Sequence, residues 1–284
     1  MTQRLISDFE PELVKTSKKA LMELNRVLSS YKEAIILIGG WVPYMLLKEA
    51  QPKEDTFNHI GSIDIDWVID PSKIEENQYS TIVKLLIDAG WSQAEDSLFT
   101  FEKIIPSDDG INRKITTDFL TVRPPSLGKG RRHSVVQKNL NARILDSASL
   151  AFNHNIVKTL NGLLPNNAET RVTFKMLDVV GCIGTKSIAL GNRYKNKDAY
   201  DLVSLVDHYG TGIKDVTSMF TGSLEDKLVK ESLAKLKEKF KTQQSEGPVL
   251  YAEFMQAIEG AGKETYAQRA YMVVNELLSL LKVT

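Results

Sequence analysis

The stretch "HIGSIDIDWVID", residues 59–70, places two aspartates, Asp64 and Asp66, inside an apolar run of Ile63, Ile65, Trp67, Val68 and Ile69. Side chains of a strand alternate faces with a period of two. Asp64 and Asp66 therefore share one face, and Ile63, Ile65 and Trp67 point the other way, into a core. Two like charges so close repel, and each raises the other's pKa unless a cation lies between them. A divalent metal with oxygen ligands removes that penalty, and Mg²⁺ characteristically takes a few carboxylates together with substrate phosphates. The plainer alternative is an edge strand whose outer face is solvated.

Working outward, "AIILIGGWVPYMLLKEA" (34–50) gives an apolar run, a Gly39–Gly40 break and a helix-like continuation. Glycines there let backbone N–H groups approach phosphate oxygens at a helix N-terminus; otherwise they make a tight turn. Downstream, a third aspartate, Asp118, interrupts the apolar strand pattern of "KITTDFLTV" (114–122). If its strand neighbours the first, three carboxylates from two strands form a site for in-line displacement at phosphorus.

The remaining pattern predicts a helix over 7–30, a strand over 62–69, a helix in "YSTIVKLLIDAGW", and two strands, "SLFTFEKIIP" and "RKITTDFLTV", around the turn "SDDG". This is an α+β unit around a small mixed sheet. "SLAFNHNIVKTLNGLL" and "ETRVTFKML" read as short strands around "PNNA", and from Asp178 onward the periodicity is helical. Two parts are expected: a core over 1–150 and a mainly helical domain over 151–284.

Composition narrows the function classes. The chain has 284 residues, 42% hydrophobic and 25% charged, enough for a substantial core. Lys plus Arg and Asp plus Glu each total 36, so no global field favours nucleic acid or a membrane, and any such contact needs a local patch. Cys182 is the only cysteine, which rules out an intrachain disulfide and, with four scattered histidines, argues against zinc. The charged N-terminus lacks the apolar segment of a signal peptide, and no apolar run is long enough to span a bilayer. A cytoplasmic protein is expected.

The order Gly-Gly, D-x-D, then a lone strand Asp resembles the nucleotidyltransferase superfamily of polymerase-β-like fold. Residues 185–209, "TKSIALGNRYKNKDAYDLVSLVDHY", resemble motifs of the AbiEii/MenT-type toxin nucleotidyltransferases, which carry a helix Lys, an Arg shortly after it and a KD-x-YDL segment. The matching residues are Lys186, Arg193, Lys197, Asp198, Tyr200, Asp201 and Leu202. Ile60 stands where relatives commonly have an Arg, while Ser62 keeps a hydroxyl where they have Thr. The resemblance implies a Mg²⁺-dependent enzyme moving a nucleoside monophosphate from an NTP to an acceptor. Asp64, Asp66 and Asp118 would be metal ligands, with Asp118 also assisting deprotonation of the acceptor. Gly39, Gly40 and Ser62 would cradle the triphosphate, and Lys186 would neutralise it. Arg193, Lys197, Asp198 and Asp201 would contact the nucleotide or organise the residues that do, so that the helical domain completes the nucleotide site. By resemblance, the acceptor would be tRNA and the partner a cognate antitoxin.

Other readings stay open from the residues alone. Lys186 also fits a surface lysine with a buried stem, and Asp198 and Asp201 fit ordinary acids near a helix N-terminus. His59 either orients a phosphate or caps the strand, and the latter is the simpler expectation. Residues 123–143 hold six Lys/Arg and no acid. Lys129, Arg131, Arg132, Lys138 and Arg143 there form either a solvated loop or a patch for RNA phosphates, without an aromatic to stack bases. The alternatives to a tRNA-modifying toxin are a small-molecule nucleotidyltransferase, acting on an aminoglycoside-like acceptor, and a non-catalytic binding module on the same fold.

Overall fold

The computed structural model describes residues 5–74, 80–128, 130–259 and 262–283. In chain order its elements are α1 (Pro11–Val27), β1 (Ile35–Ile38), α2 (Trp41–Ala50), β2 (Asp64–Ile69), α3 (Ile82–Asp88), β3 (Ser92–Gln93), β4 (Thr100–Pro106) and β5 (Asn112–Thr121). Then follow β6 (His133–Gln137), β7 (Leu140–Ile144), α4 (Leu150–Asn153), β8 (Asn155–Leu163) and β9 (Glu169–Leu177). The rest is helical: α5 (Val179–Asn192), α6 (Asn196–His208), α7 (Ile213–Met219), α8 (Lys227–Lys239), α9 (Glu246–Glu259) and α10 (Lys263–Leu280). The class is α+β, with a mixed sheet and a helical part. No helix among the described residues is long and apolar enough to cross a membrane.

The chain divides into two compact units. The sheet unit comprises Glu10–Trp41 and Ser62–Leu177, and the helical unit Met1–Phe9, Val42–Gly61 and Asp178–Thr284. The late division between these units falls between Leu177 and Asp178, and the β8–β9 hairpin extends the sheet.

The sheet runs β3-β4-β5-β2-β1-β9-β8, with β7 joined to β5 and β6 to β7. β1, "IILI", is buried at every position, as suits a short strand covered on both faces. It is antiparallel to β2 and parallel to β9. β2 alternates as its sequence predicts: Ile65 and Trp67 are fully buried, while Asp64 and Asp66 are half-buried on the opposite face. β5 repeats the pattern, with Ile115, Thr117 and Phe119 buried and Thr116 and Asp118 half-buried. α1 packs its Ala20, Leu21 and Leu24 face inside this unit, against strands that include β5 and β9.

The acid-free segment 123–143 is not wholly a loop. Its second half forms the β6–β7 hairpin, in which Asn139 takes the left-handed turn position (φ 64°). The strands "HSVVQ" and "LNARI" are only five residues each and are flanked by Arg131, Arg132 and Lys138, so their alternation is too brief to stand out, while Asn tolerates φ > 0 better than most residues.

In the helical unit, α5 is buried along nearly its whole circumference, as its "VVGCIGTKSIAL" composition requires of a central helix. The Asp178 carboxylate caps it by accepting the Gly181 N–H (2.8 Å). α5 packs on α6 and α8, and α6 in turn on α9.

Candidate functional site

In the sheet unit, β2 and β5 run parallel with Asp66 opposite Asp118 and Asp64 opposite Thr116. Directly opposed residues of a ladder project to the same face. The three aspartates singled out in the sequence therefore lie on one sheet face, Asp66 and Asp118 as cross-strand neighbours. The Thr116 hydroxyl donates to Asp64 Oδ1 (3.0 Å), and the Thr100 hydroxyl on β4 donates to Asp118 Oδ1 (2.7 Å). Among the described residues, no three His, Cys, Asp or Glu side chains already converge as metal ligands would.

β1 ends at Ile38, opposite Asp66, and turns at Gly39. Gly39 is needed twice there. Its φ of 78° is left-handed, and a Cβ would collide with the Asp66 carboxylate, lying 3.2 Å even from the Asp66 Cβ. Gly39 thus lets backbone pass directly beside an acidic side chain. Ser62 is buried and its hydroxyl donates to the Asp64 carbonyl oxygen (3.1 Å).

The basic hairpin belongs to the same unit. Arg131, Arg132 and Lys138 are exposed, Arg143 is half-buried on β7, and Lys129 lies outside the described residues. Arg123 steadies the preceding loop by donating to the carbonyls of Gly128 (3.2 Å) and Arg131 (3.0 Å).

The helical unit holds the other predicted residues in a buried ionic network. Lys186 on α5 donates to Asp198 Oδ1 (2.8 Å) and Asp201 Oδ2 (2.6 Å) on α6. Arg193 binds Asp198 Oδ2 through Nε (2.9 Å) and Nη2 (2.8 Å). Lys197 donates to Asp201 Oδ1 and stands over the rings of Phe9 (5.3 Å) and Tyr200 (5.1 Å). Lys186 is 7% exposed, so it is neither a surface lysine nor free of counter-charges.

His59, read from sequence as a strand cap, completes this network. Its Nδ1 accepts the Gly61 N–H (3.1 Å), which leaves the proton on Nε2 to donate to Asp201 Oδ1 (3.0 Å). Tyr200, next to Asp201, accepts the Ile60 N–H (3.0 Å) and packs on the His59 ring. The turn at Gly61 (φ 83°) is thereby tied to α6.

Burial alone would raise the pKa of Asp201, but the Lys186 and Lys197 ammonium groups outweigh it and hold the carboxyl far below its ordinary range. Asp198 is likewise pulled down, by Lys186 and Arg193 against its burial. Burial disfavours the Lys186 cation, yet the two carboxylates more than compensate and raise its pKa. Lys197 is not fully compensated and is lowered. Burial, reinforced by the Lys197 charge, lowers His59 to about 4, so its ring is neutral. Three cations against two carboxylates leave the network one positive charge in excess. Burial pushes the Cys182 thiol up to about 12, which makes it unreactive as a nucleophile.

No protein-family model matches the sequence, and no curated protein matches it. Among solved structures, the chain is similar to an antigenic nucleotidyltransferase-like protein from Paracoccidioides brasiliensis. The two are 14% identical with a TM-score of 0.43, over 81% of this chain and 89% of that one.

Proposed function

We propose that the protein is a nucleotidyltransferase, moving a nucleoside monophosphate from an NTP to an acceptor hydroxyl with release of pyrophosphate. One observation carries the reading: Asp66 and Asp118 are cross-strand neighbours, with Asp64 on their face and the Gly39 turn beside Asp66. The donor set is entirely oxygen, the chemistry that suits Mg²⁺. Asp64, Asp66 and Asp118 would hold the ion, exchanging the threonine hydroxyls for it. Bound there, Mg²⁺ would neutralise phosphate charge and orient the displacement.

The chain's own groups supply the rest. The acceptor oxygen bonds to the α-phosphorus as the bond to pyrophosphate breaks, and the Asp118 carboxylate takes the acceptor's proton. Backbone N–H groups at Gly39 and Gly40, with the Ser62 hydroxyl, bind phosphate oxygens. Lys186, Arg193, Lys197, Asp198 and Asp201, which the resemblance associates with the nucleotide, form a buried network within the helical unit.

The resemblance of residues 185–209 to AbiEii/MenT-type toxins extends the proposal to a tRNA acceptor and a bacterial antitoxin partner. The exposed Arg131, Arg132 and Lys138, together with Arg143, supply the local cations that a chain of zero net charge needs for RNA. The test is incubation with each labelled NTP, Mg²⁺ and total tRNA, followed by gel separation. Label should enter RNA with at least one NTP and disappear in Asp66→Asn. Transfer undiminished in that variant, or absent with every NTP, overturns the reading, and label on a small acceptor instead overturns its RNA part.

A further inference from the structure

Among the described residues, Tyr194 is the only exposed Phe, Trp or Tyr side chain, 62% exposed. It lies on the three-residue link between α5 and α6, in "NRYKNK" (192–197), which carries three cations and no acid. α8 crosses the end of α5 closely here: a Cβ on Gly191 would come within 2.9 Å of the Lys235 side chain. One turn further along α8, Lys239 places its ammonium 5.5 Å from the centre of the Tyr194 ring.

The flanking cations are fixed. Arg193 is held by Asp198, with its side chain still 39% exposed, and Lys239 is held by Glu246. An aromatic ring presented to water between anchored cations offers a flat face on which another π-system can stack. Nucleobases offer a π-face to such a ring whatever their identity, and stacking of this kind tolerates any sequence. The anchored cations are already neutralised in part by their acids, so the surface favours stacking over phosphate tracking. The basic β6–β7 hairpin has the opposite character, with exposed cations and no exposed Phe, Trp or Tyr. An unpaired base fits Tyr194, whereas a duplex, whose bases are stacked on one another, does not.

We infer that Tyr194 is a stacking platform for an unpaired base of a single-stranded nucleic acid, framed by Arg193 and Lys239. The proposal rests on the reading of the acceptor as RNA and gives that reading the aromatic contact the basic hairpin lacks. It is tested on the full chain, without NTP or divalent metal, by fluorescence anisotropy. The probes are labelled 12-mers of oligo(A) and oligo(U) RNA, their DNA counterparts, and a 12-base-pair RNA duplex, each across a salt series.

Tyr194→Ala should weaken single-strand binding about tenfold, the loss expected for one stacked base. Tyr194→Phe should stay within about twofold of wild type, and oligo(A) should suffer more than oligo(U). The log–log salt slope should be unchanged in Tyr194→Ala, because no phosphate contact is removed. RNA affected alone, or RNA and DNA equally, decides which strand the platform serves. Wild-type affinity in Tyr194→Ala, a parallel loss of duplex binding, or no single-strand binding at all overturns the proposal. Tyr194-dependent binding without nucleotidyl transfer overturns the reaction and leaves the platform; transfer to RNA without Tyr194 dependence does the reverse.

Discussion

Two pairs of aspartates, one in each unit, have opposite surroundings. Asp64 and Asp66 are two apart on a strand, half-buried, and share their face with Asp118, with threonine hydroxyls donating to Asp64 and Asp118. Asp198 and Asp201 are three apart on a helix, fully buried, and enclosed by Lys186, Lys197, Arg193 and the His59 ring. Sequence spacing puts each pair on one face in the same way. What differs is the kind of partner: lysine and arginine cations enclose the helical pair, whereas threonine hydroxyls approach Asp64 and Asp118 on the sheet face. The first arrangement should be essential to folding, and the second should tolerate neutralisation.

The largest effect should come from Asp201→Asn, a nearly isosteric change. It removes the charge that Lys186 and Lys197 share and weakens the acceptor for His59. Breaking a buried pair leaves uncompensated charge, at a cost of about 3–5 kcal/mol. Urea unfolding should show that loss as a lower midpoint. A midpoint within experimental error of wild type would mean that the network is not the closed structure described above.

Acid should act next, through His59. Its folded pKa, about 4, lies below the ordinary 6.5. Between those values the unfolded chain binds a proton that the folded chain refuses, so stability falls as pH drops from 6.5 towards 4. A shift of that size corresponds to about 3 kcal/mol over the window. Asp198 and Asp201, whose pKa values are lowered on folding, contribute stability that is lost only as pH falls below the ordinary carboxylate range. His59→Gln keeps a donor for Asp201 but does not titrate. Its unfolding free energy, measured from pH 7 to 4.5, should decline less steeply than that of wild type. Parallel curves would show that His59 titrates alike in the folded and unfolded chain.

Much of the sheet side of this contrast was legible. Period-two alternation gave the shared face of Asp64 and Asp66, and the apolar frame of "KITTDFLTV" identified Asp118's strand. Neither could give the parallel β2–β5 register, which depends on a long-range choice of neighbours. The helical side was legible only in part. The i, i+3 spacing put Asp198 and Asp201 together, but their cations come from the packing of α5 on α6, and His59 reaches Asp201 across 142 residues of sequence. A lone histidine beside a strand gives no periodic signal of such a partner. The β6–β7 hairpin was obscured for a different reason, because its two five-residue strands are short and cations flank them as in a loop.

A moderate effect is expected at the turn beside Asp66. Gly39→Ala forces a Cβ into a left-handed position against the Asp66 carboxylate. Strain of this kind costs about 1–3 kcal/mol, and the carboxylate must move aside. The variant should therefore lose transfer in the NTP assay out of proportion to its lower melting temperature. Full activity would show that neither the turn nor the position of Asp66 matters to the chemistry.

The smallest effect on stability, and the one that most sharpens the comparison, should come from Asp66→Asn. It is the same chemical change as Asp201→Asn, with the opposite sign expected. Asp66 faces Asp118 across the ladder, and like charges directly opposite one another destabilise a sheet by roughly 0.2–1 kcal/mol. Asparagine keeps the shape and removes the repulsion, so the melting temperature without divalent metal should equal or slightly exceed that of wild type. Mg²⁺ with NTP should then raise the wild-type melting temperature by binding only the folded state, and should leave Asp66→Asn nearly unmoved. A loss of more than about 1 kcal/mol in the metal-free variant would mean that Asp66, like Asp201, is already balanced from within the protein. The sheet face would then be a structural cluster, and the contrast between the two units would fail at its most exposed point.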